Sequence, residues 1–132
     1  MRARGQALIE TALCLPILLI IALGTAAVVR VADARSGLDA ACAAAVATAA
    51  RAPGEQEAIS SSQLRFRTVA AGYPLLGPAM AVSLGDFTRG EMVTAQATAA
   101  VDLSFAPLPR WVSPLRISSA AQARIDQWRT RF

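Results

Sequence analysis

An uncharged run near the N-terminus constrains the fold of this chain more than any other feature. No charged residue occurs from Thr11 to Val29, and Leu, Ile and Val dominate the run. As an α-helix it is about 28 Å long, close to the roughly 30 Å hydrocarbon core of a bilayer. The core helix of a 132-residue protein rarely needs such a stretch. We therefore predict a transmembrane helix over residues 6–29 or, as the alternative, a signal segment.

Charge gives only weak guidance on orientation. Arg2 and Arg4 precede the run, and Arg30 and Arg35 follow it, so the count of basic residues on the two sides is equal. The N-terminal amine favours the side of Arg2 as the cytoplasmic one. We expect a single-pass protein of the cytoplasmic membrane with an extracytoplasmic C-terminal domain.

The helical pattern continues beyond the predicted span, over residues 30–52. This extension is rich in alanine, the best helix former, and one apolar stripe recurs every four residues, at Leu38, Cys42, Val46 and Ala50. A single helix from Gln6 to Arg51 would be about 69 Å long. Ion pairs between Arg30 and Asp33 and between Arg35 and Asp39 are expected on its polar side.

Two features modify this long helix. Pro16 removes one backbone hydrogen bond and is expected to kink it. The pair Pro53 and Gly54 ends it. Residues 1–5 form a short basic leader, and residues 53–132 are assigned to a small extracytoplasmic domain.

That domain is predicted to contain one helix and three strands. A helix over Glu55–Ala71 would present one apolar face, and residues 74–78 would form a connector. Period-two alternation then indicates a weak strand around Met80–Leu84 and strong strands over residues 93–105 and 115–125. The apolar residues of the helix face are Ile59, Phe66, Val69, Ala70 and Tyr73. The expected fold class is α+β, with a three-stranded antiparallel meander packed on the helix extension.

Composition argues against an enzyme. Histidine is absent, which removes the usual general base and the commonest metal ligand. The carboxylates form no acid pair or metal spacing, so we expect neither cofactor nor metal. The 13 basic residues, all arginine, are spread along the chain, and direct nucleic-acid binding is not predicted. The nearest basic and aromatic patch surrounds Trp111 and Trp128.

The residues before the span carry the functional signal. A basic stub ends at Gly5, and Glu10 follows at the edge of the apolar run, where a carboxylate is unfavourable unless it has a partner. Cleavage after Gly5 would give Gln6 a positively charged amine. Glu10 could pair with such an amine on a neighbouring subunit, because opposite charges attract strongly in a low dielectric.

This pattern resembles the processing site of type IV prepilins. The stretch from Arg4 to Leu13, continuing through Pro16, is similar to TadE-like minor pseudopilins of tight-adherence (Flp-type) pilus systems. The resemblance implies cleavage by a prepilin peptidase between Gly5 and Gln6 and a registry role for Glu10. It also implies other pilin or pseudopilin subunits, an inner-membrane assembly platform and membrane lipid as partners. Cell adhesion, DNA uptake or secretion would be a property of the whole pilus system.

A rival hypothesis is a secreted or membrane-anchored binding domain with no filament role. Ala32-Asp33-Ala34 fits a signal-peptidase site, although the apolar run is longer than that of a usual signal peptide. Cys14 and Cys42 are about 42 Å apart along one helix and cannot form a disulfide with each other within the chain. We expect both to be small apolar side chains.

Overall fold

The computed structural model describes residues 2–107, 109 and 114–126. Two helices precede three strands along the chain, which confirms the α+β prediction. The elements are α1 (Arg2–Arg51), α2 (Glu55–Ala70), β1 (Leu75–Ser83), β2 (Met92–Val101) and β3 (Leu115–Arg124).

Helix α1 is a single element of 50 residues, about 75 Å long. It begins at Arg2, four residues before the predicted start, and continues through Pro16. It ends at Arg51, just before the predicted stop at Pro53 and Gly54. The kink at Pro16 stays a prediction. The predicted junction between the span and its extension, at residues 29 and 30, therefore lies inside one uninterrupted helix.

Helix α2 packs against α1, and three of its four buried side chains are small. Its buried residues are Ala58, Ser62, Phe66 and Ala70. The Ser62 hydroxyl donates a hydrogen bond to the carbonyl oxygen of Ile59 at 2.9 Å, so its burial leaves no unsatisfied donor. The prediction that Ile59 belongs to the buried face is wrong, because the contact line runs through Ala58 and Ser62, where small side chains let the two helices approach closely.

The three strands form an antiparallel meander in the order β1-β2-β3, as predicted. Central strand β2 follows the predicted alternation, and its odd-numbered residues are buried against α1: Val93, Ala95, Ala97, Ala99 and Val101. The predicted extension of this strand to Phe105 is wrong, since β2 ends at Val101 and Asp102 begins the following loop.

Strand β1 begins earlier than predicted. Residues 75–78, which we expected in a connector, belong to the strand, and the pairing register with β2 shifts between Leu76 and Ala79. Gly77 adopts a positive φ of 56° at this shift and Pro78 follows it. A proline lacks the N–H that a sheet ladder uses, and β1 tolerates it because it is an edge strand with a bulge.

The core lies between the sheet, α2 and the upper part of α1. All four residues of the predicted α1 stripe are buried, and the Leu38 and Cys42 side chains are completely so. The ring of Tyr73 occupies the space over Gly37, where an added Cβ would overlap the ring. The domain is therefore built directly on the helix, and its core cannot be separated from residues 34–52.

Candidate functional site

The lower part of α1, from Gly5 to Val29, is exposed along most of its length. Apart from half-buried Leu23, its large aliphatic side chains are 59–72% exposed, including Leu8, Leu18 and Val29. Within the described residues, one helix is long and apolar enough to cross a membrane, and none of its most apolar window is buried in the protein. This region fits a single-pass membrane anchor.

Gly5 is not required by the fold. It is helical, and a Cβ added to it would meet no atom within 4 Å. Glycine in a helix interior costs about 0.5–1 kcal/mol relative to alanine. Gly37 differs, because the Tyr73 ring excludes any side chain there. Any requirement for glycine at position 5 must therefore come from outside the folded chain.

Glu10 lies one helical turn above Gln6 on the same face. The Gln6 side-chain amide donates a hydrogen bond from Nε2 to Oε1 of Glu10 at 3.3 Å. Both side chains are exposed, and the hydrogen bonds and ion pairs of the described residues give the Glu10 carboxylate no other partner. The carboxylate can thus accept a charged donor from another molecule.

The structure brings two of the predicted site residues together and leaves the others apart. Gln6 and Glu10 are in contact, whereas Gly5 has open surroundings and Pro16 lies farther into the exposed apolar helix. The next residue, Thr11, is held by its own helix, since its hydroxyl donates to the carbonyl oxygen of Ala7 at 2.9 Å. The site is therefore a surface of one helix, with no enclosing cavity of its own.

The two cysteines have different surroundings. Cys14 is exposed on the apolar helix, and Cys42 is fully buried. The Cys42 thiol donates a hydrogen bond to the carbonyl oxygen of Ala95, with an Sγ–O distance of 3.5 Å. Burial raises the pKa of this thiol, because the thiolate would lose its hydration. Cys42 is the buried apolar residue that the sequence predicts, whereas the Cys14 side chain is not buried within the chain.

A cluster around Arg30 was not predicted. Arg30 pairs with Asp102, with 3.8 Å between Nη2 and Oδ2, so the predicted pair with Asp33 is wrong. Its guanidinium carbon lies 5.4 Å from the centre of the Phe105 ring. Hydrogen bonds from the Ser104 side chain and backbone N–H lower the pKa of Asp102, and Arg30 adds to this effect. The loop after β2 is thereby attached to α1.

No metal-binding cluster occurs in the part of the chain that the structure describes. Groups of three or more His, Cys, Asp or Glu residues able to hold a metal ion are absent there. Trp111 and Trp128, the centres of the weak basic and aromatic patch, lie outside the described residues.

Comparison with known proteins supports the resemblance noted in the sequence. The family of TadE-like proteins matches residues 5–51, a segment that begins at Gly5 and ends with the last residue of α1. No curated protein and no solved structure matches the chain. Over residues 5–51, and so over nearly all of α1, this chain is similar to TadE-like proteins.

Proposed function

We propose that the chain is a pilin-like minor pseudopilin that is inserted in the membrane and takes part in assembling a tight-adherence type pilus after leader cleavage. The N-terminus is cytoplasmic and the small domain extracytoplasmic. The observation that carries this proposal is the exposed apolar helix that bears both Gly5 and Glu10 within a TadE-like segment.

The exposed apolar helix supports a subunit that lies first in the membrane and then among the helices of other subunits. Large apolar side chains are unfavourable in water, so the lower part of α1 must be covered at every stage. Lipid covers it in the membrane, and the same helices of other pilin or pseudopilin subunits cover it after assembly. The role is structural, without catalysis or a cofactor.

Gly5 supports recognition by a prepilin peptidase. Because nothing in the fold needs glycine there, the most direct explanation is an enzyme that must approach the backbone closely. Cleavage of the bond between Gly5 and Gln6 removes the basic leader and leaves the Gln6 amine at the start of the helix.

Glu10 supports the registry role. Its carboxylate has only the neutral Gln6 amide as a partner within the described chain, which leaves an uncompensated charge at the edge of the apolar helix. The free amine of Gln6 on an adjacent subunit compensates that charge, and the pairing sets the axial position of one helix against the next.

The first experiment is the intact mass and N-terminal sequence of the protein from its native membrane. We expect a chain that begins at Gln6. Gly5→Ala should leave the leader attached, whereas the control Gly24→Ala, at an equally open glycine of α1, should be processed normally. An unprocessed native chain would contradict the cleavage.

A chain that begins at Arg35 would instead support the secreted-domain hypothesis. Such a chain would lose Ala34, which is fully buried and packs with Val101 and Leu103. It would also lose the partly buried contacts of Ala27 and Val31 in the same cluster.

The second experiment replaces Glu10 with Gln, which has the same shape without the charge. We expect the variant to be inserted and processed normally, but to fail in co-purification with other pilin subunits and to reduce pilus assembly at least tenfold, since one buried charge pair is worth several kcal/mol. Glu57→Gln, at an exposed acid of α2, is the control. Normal assembly by Glu10→Gln would contradict the registry role.

A further inference from the structure

We infer that the membrane-facing end of the small domain rests on the lipid surface, with Phe105 at the boundary between headgroups and acyl chains. The surface consists of Leu76, Phe105 and Leu115 and is called the apolar rim. The inference rests on the membrane anchor of the proposed function and is independent of pilus assembly.

The position of Arg30 indicates how deep the Phe105 ring lies relative to the bilayer. Arg30 is the first charged residue after the span, and the Phe105 ring centre lies 5.4 Å from its guanidinium carbon. The headgroup region on each side of a bilayer is about 5–8 Å thick. A ring held beside the first residue beyond Val29 therefore lies within that region.

The strand register shows which end of the sheet faces the membrane. Leu75, Val101 and Leu115 are cross-strand neighbours, and Val101 packs with Ala34, close to the end of the span. At the opposite end of the sheet, Ala123–Asp126 line a depression together with Ala47 and Arg51 near the top of α1.

The two ends of the sheet differ in chemistry. The apolar rim exposes three large apolar side chains at the membrane-facing end. Arg30 and Asp102 lie beside it. The opposite end exposes one large apolar residue, Met92, and carries more charged residues of both signs in its turns and strand ends: Asp86, Arg89, Glu91, Arg124 and Asp126. An end with exposed apolar residues fits the headgroup boundary, and a charged end fits water.

Arg30 complements the phosphate groups of the lipids. Its side chain is 41% exposed, and its contact with Asp102 is a long one of 3.8 Å. The Nε–H of Arg30 is buried, and the four N–H donors on its two Nη atoms are the ones available to a phosphate oxygen. The occupant of the apolar rim is thus a lipid surface, since α1 enters the bilayer directly beside it.

The test measures the depth of single tryptophans by quenching with brominated lipids. In full-length protein with Trp111 and Trp128 replaced by Phe, a tryptophan is introduced by Phe105→Trp, Met92→Trp or Leu18→Trp, and each protein is reconstituted into vesicles of phosphatidylcholine and phosphatidylglycerol. Met92 is the matched control, because it is 41% exposed against 40% for Phe105 and lies at the opposite end of the same sheet. Leu76→Trp is a second probe of the apolar rim.

We expect the Phe105→Trp emission to fall roughly twofold with lipids brominated near the headgroup, and the Met92→Trp emission to be unchanged. Leu18→Trp should be quenched most by lipids brominated deep in the chain. Unquenched tryptophans at both 105 and 76, with position 18 quenched, would overturn the inference and leave the anchor intact. An unquenched position 18 would overturn the anchor itself.

A second copy of the chain is the competing occupant of the apolar rim. In that case the emission at position 105 would change with the ratio of protein to lipid, and bromination would have no effect. Blocked alkylation of buried Cys42 by a maleimide, located by peptide mapping because Cys14 is exposed, verifies that each variant is folded. Native folding with equal quenching at positions 105 and 92 would also overturn the inference.

Discussion

The two halves of α1 share one backbone and face different surroundings. The lower half, Gly5–Val29, carries large aliphatic side chains, and nearly all of them are exposed. Half of the residues in the upper half, Ala34–Arg51, are alanine, and its stripe from Leu38 to Ala50 is buried. Large residues suit a helix that lipid or other helices must cover, whereas small residues let α2 and the sheet approach the backbone. Residue size, more than apolar character, distinguishes the two halves.

One leucine in each half of α1 gives the largest expected difference in stability. Leu38→Ala removes a fully buried side chain and should lower the free energy of unfolding of the domain by about 2–5 kcal/mol. Leu18→Ala, at an exposed leucine, should leave that free energy unchanged. Urea unfolding in detergent micelles measures both. Equal effects of the two substitutions would show that the lower half also contributes to the folded domain.

The same change at two glycines of α1 gives a smaller contrast. Gly37→Ala places a methyl group against the Tyr73 ring and should destabilise the domain by about 1–3 kcal/mol. Gly24→Ala has open space and should not change domain unfolding. The urea midpoints of the two variants provide the measurement. A stabilised Gly37→Ala variant would mean that the ring moves aside at little cost.

The smallest expected effect is at Asp102, where the loop after β2 joins the boundary between the halves. A lowered pKa means that the carboxylate stabilises the folded state above its ordinary pKa of about 4, and that this contribution is lost as the pH falls through the lowered value. Asp102→Asn should therefore lower the thermal midpoint at pH 7 and match the parent protein in strong acid. Asp33→Asn, which removes a carboxylate that Arg30 does not contact, is the control. A pH-independent difference would exclude this ionisation as the cause.

Structural features that depend only on neighbouring residues in the chain could be predicted from the sequence. The alternation along β2, the α1 stripe and the end of α1 near Pro53 are all local patterns, and the structure confirms them. The segment from Gly5 to Glu10 could be found for the same reason. Its residues are contiguous, span about one and a half helical turns, and directly precede the uncharged run.

Features that depend on distant contacts could not be predicted. Arg30 has Asp33 one turn away, yet it pairs with Asp102, because the sheet brings that carboxylate to the side of α1. Likewise Gly77 and Pro78 indicate a turn on local grounds, and only pairing with β2 makes them a bulge in an edge strand. On α2 the predicted Phe66 and Ala70 are buried, but Ala58 and Ser62 are buried in place of Ile59, because the position of the α1 contact is not encoded in α2 alone.

Because α1 is continuous, the small domain is attached to the exposed apolar helix without an intervening loop. No loop separates the apolar half from the half that carries the domain, because the helix runs unbroken from Arg2 to Arg51. Withdrawal of the helix from a bilayer by one residue therefore raises the domain by about 1.5 Å. In the proposed anchor, the height of the domain above the bilayer therefore follows the depth of α1 in the bilayer, because the same helix carries both.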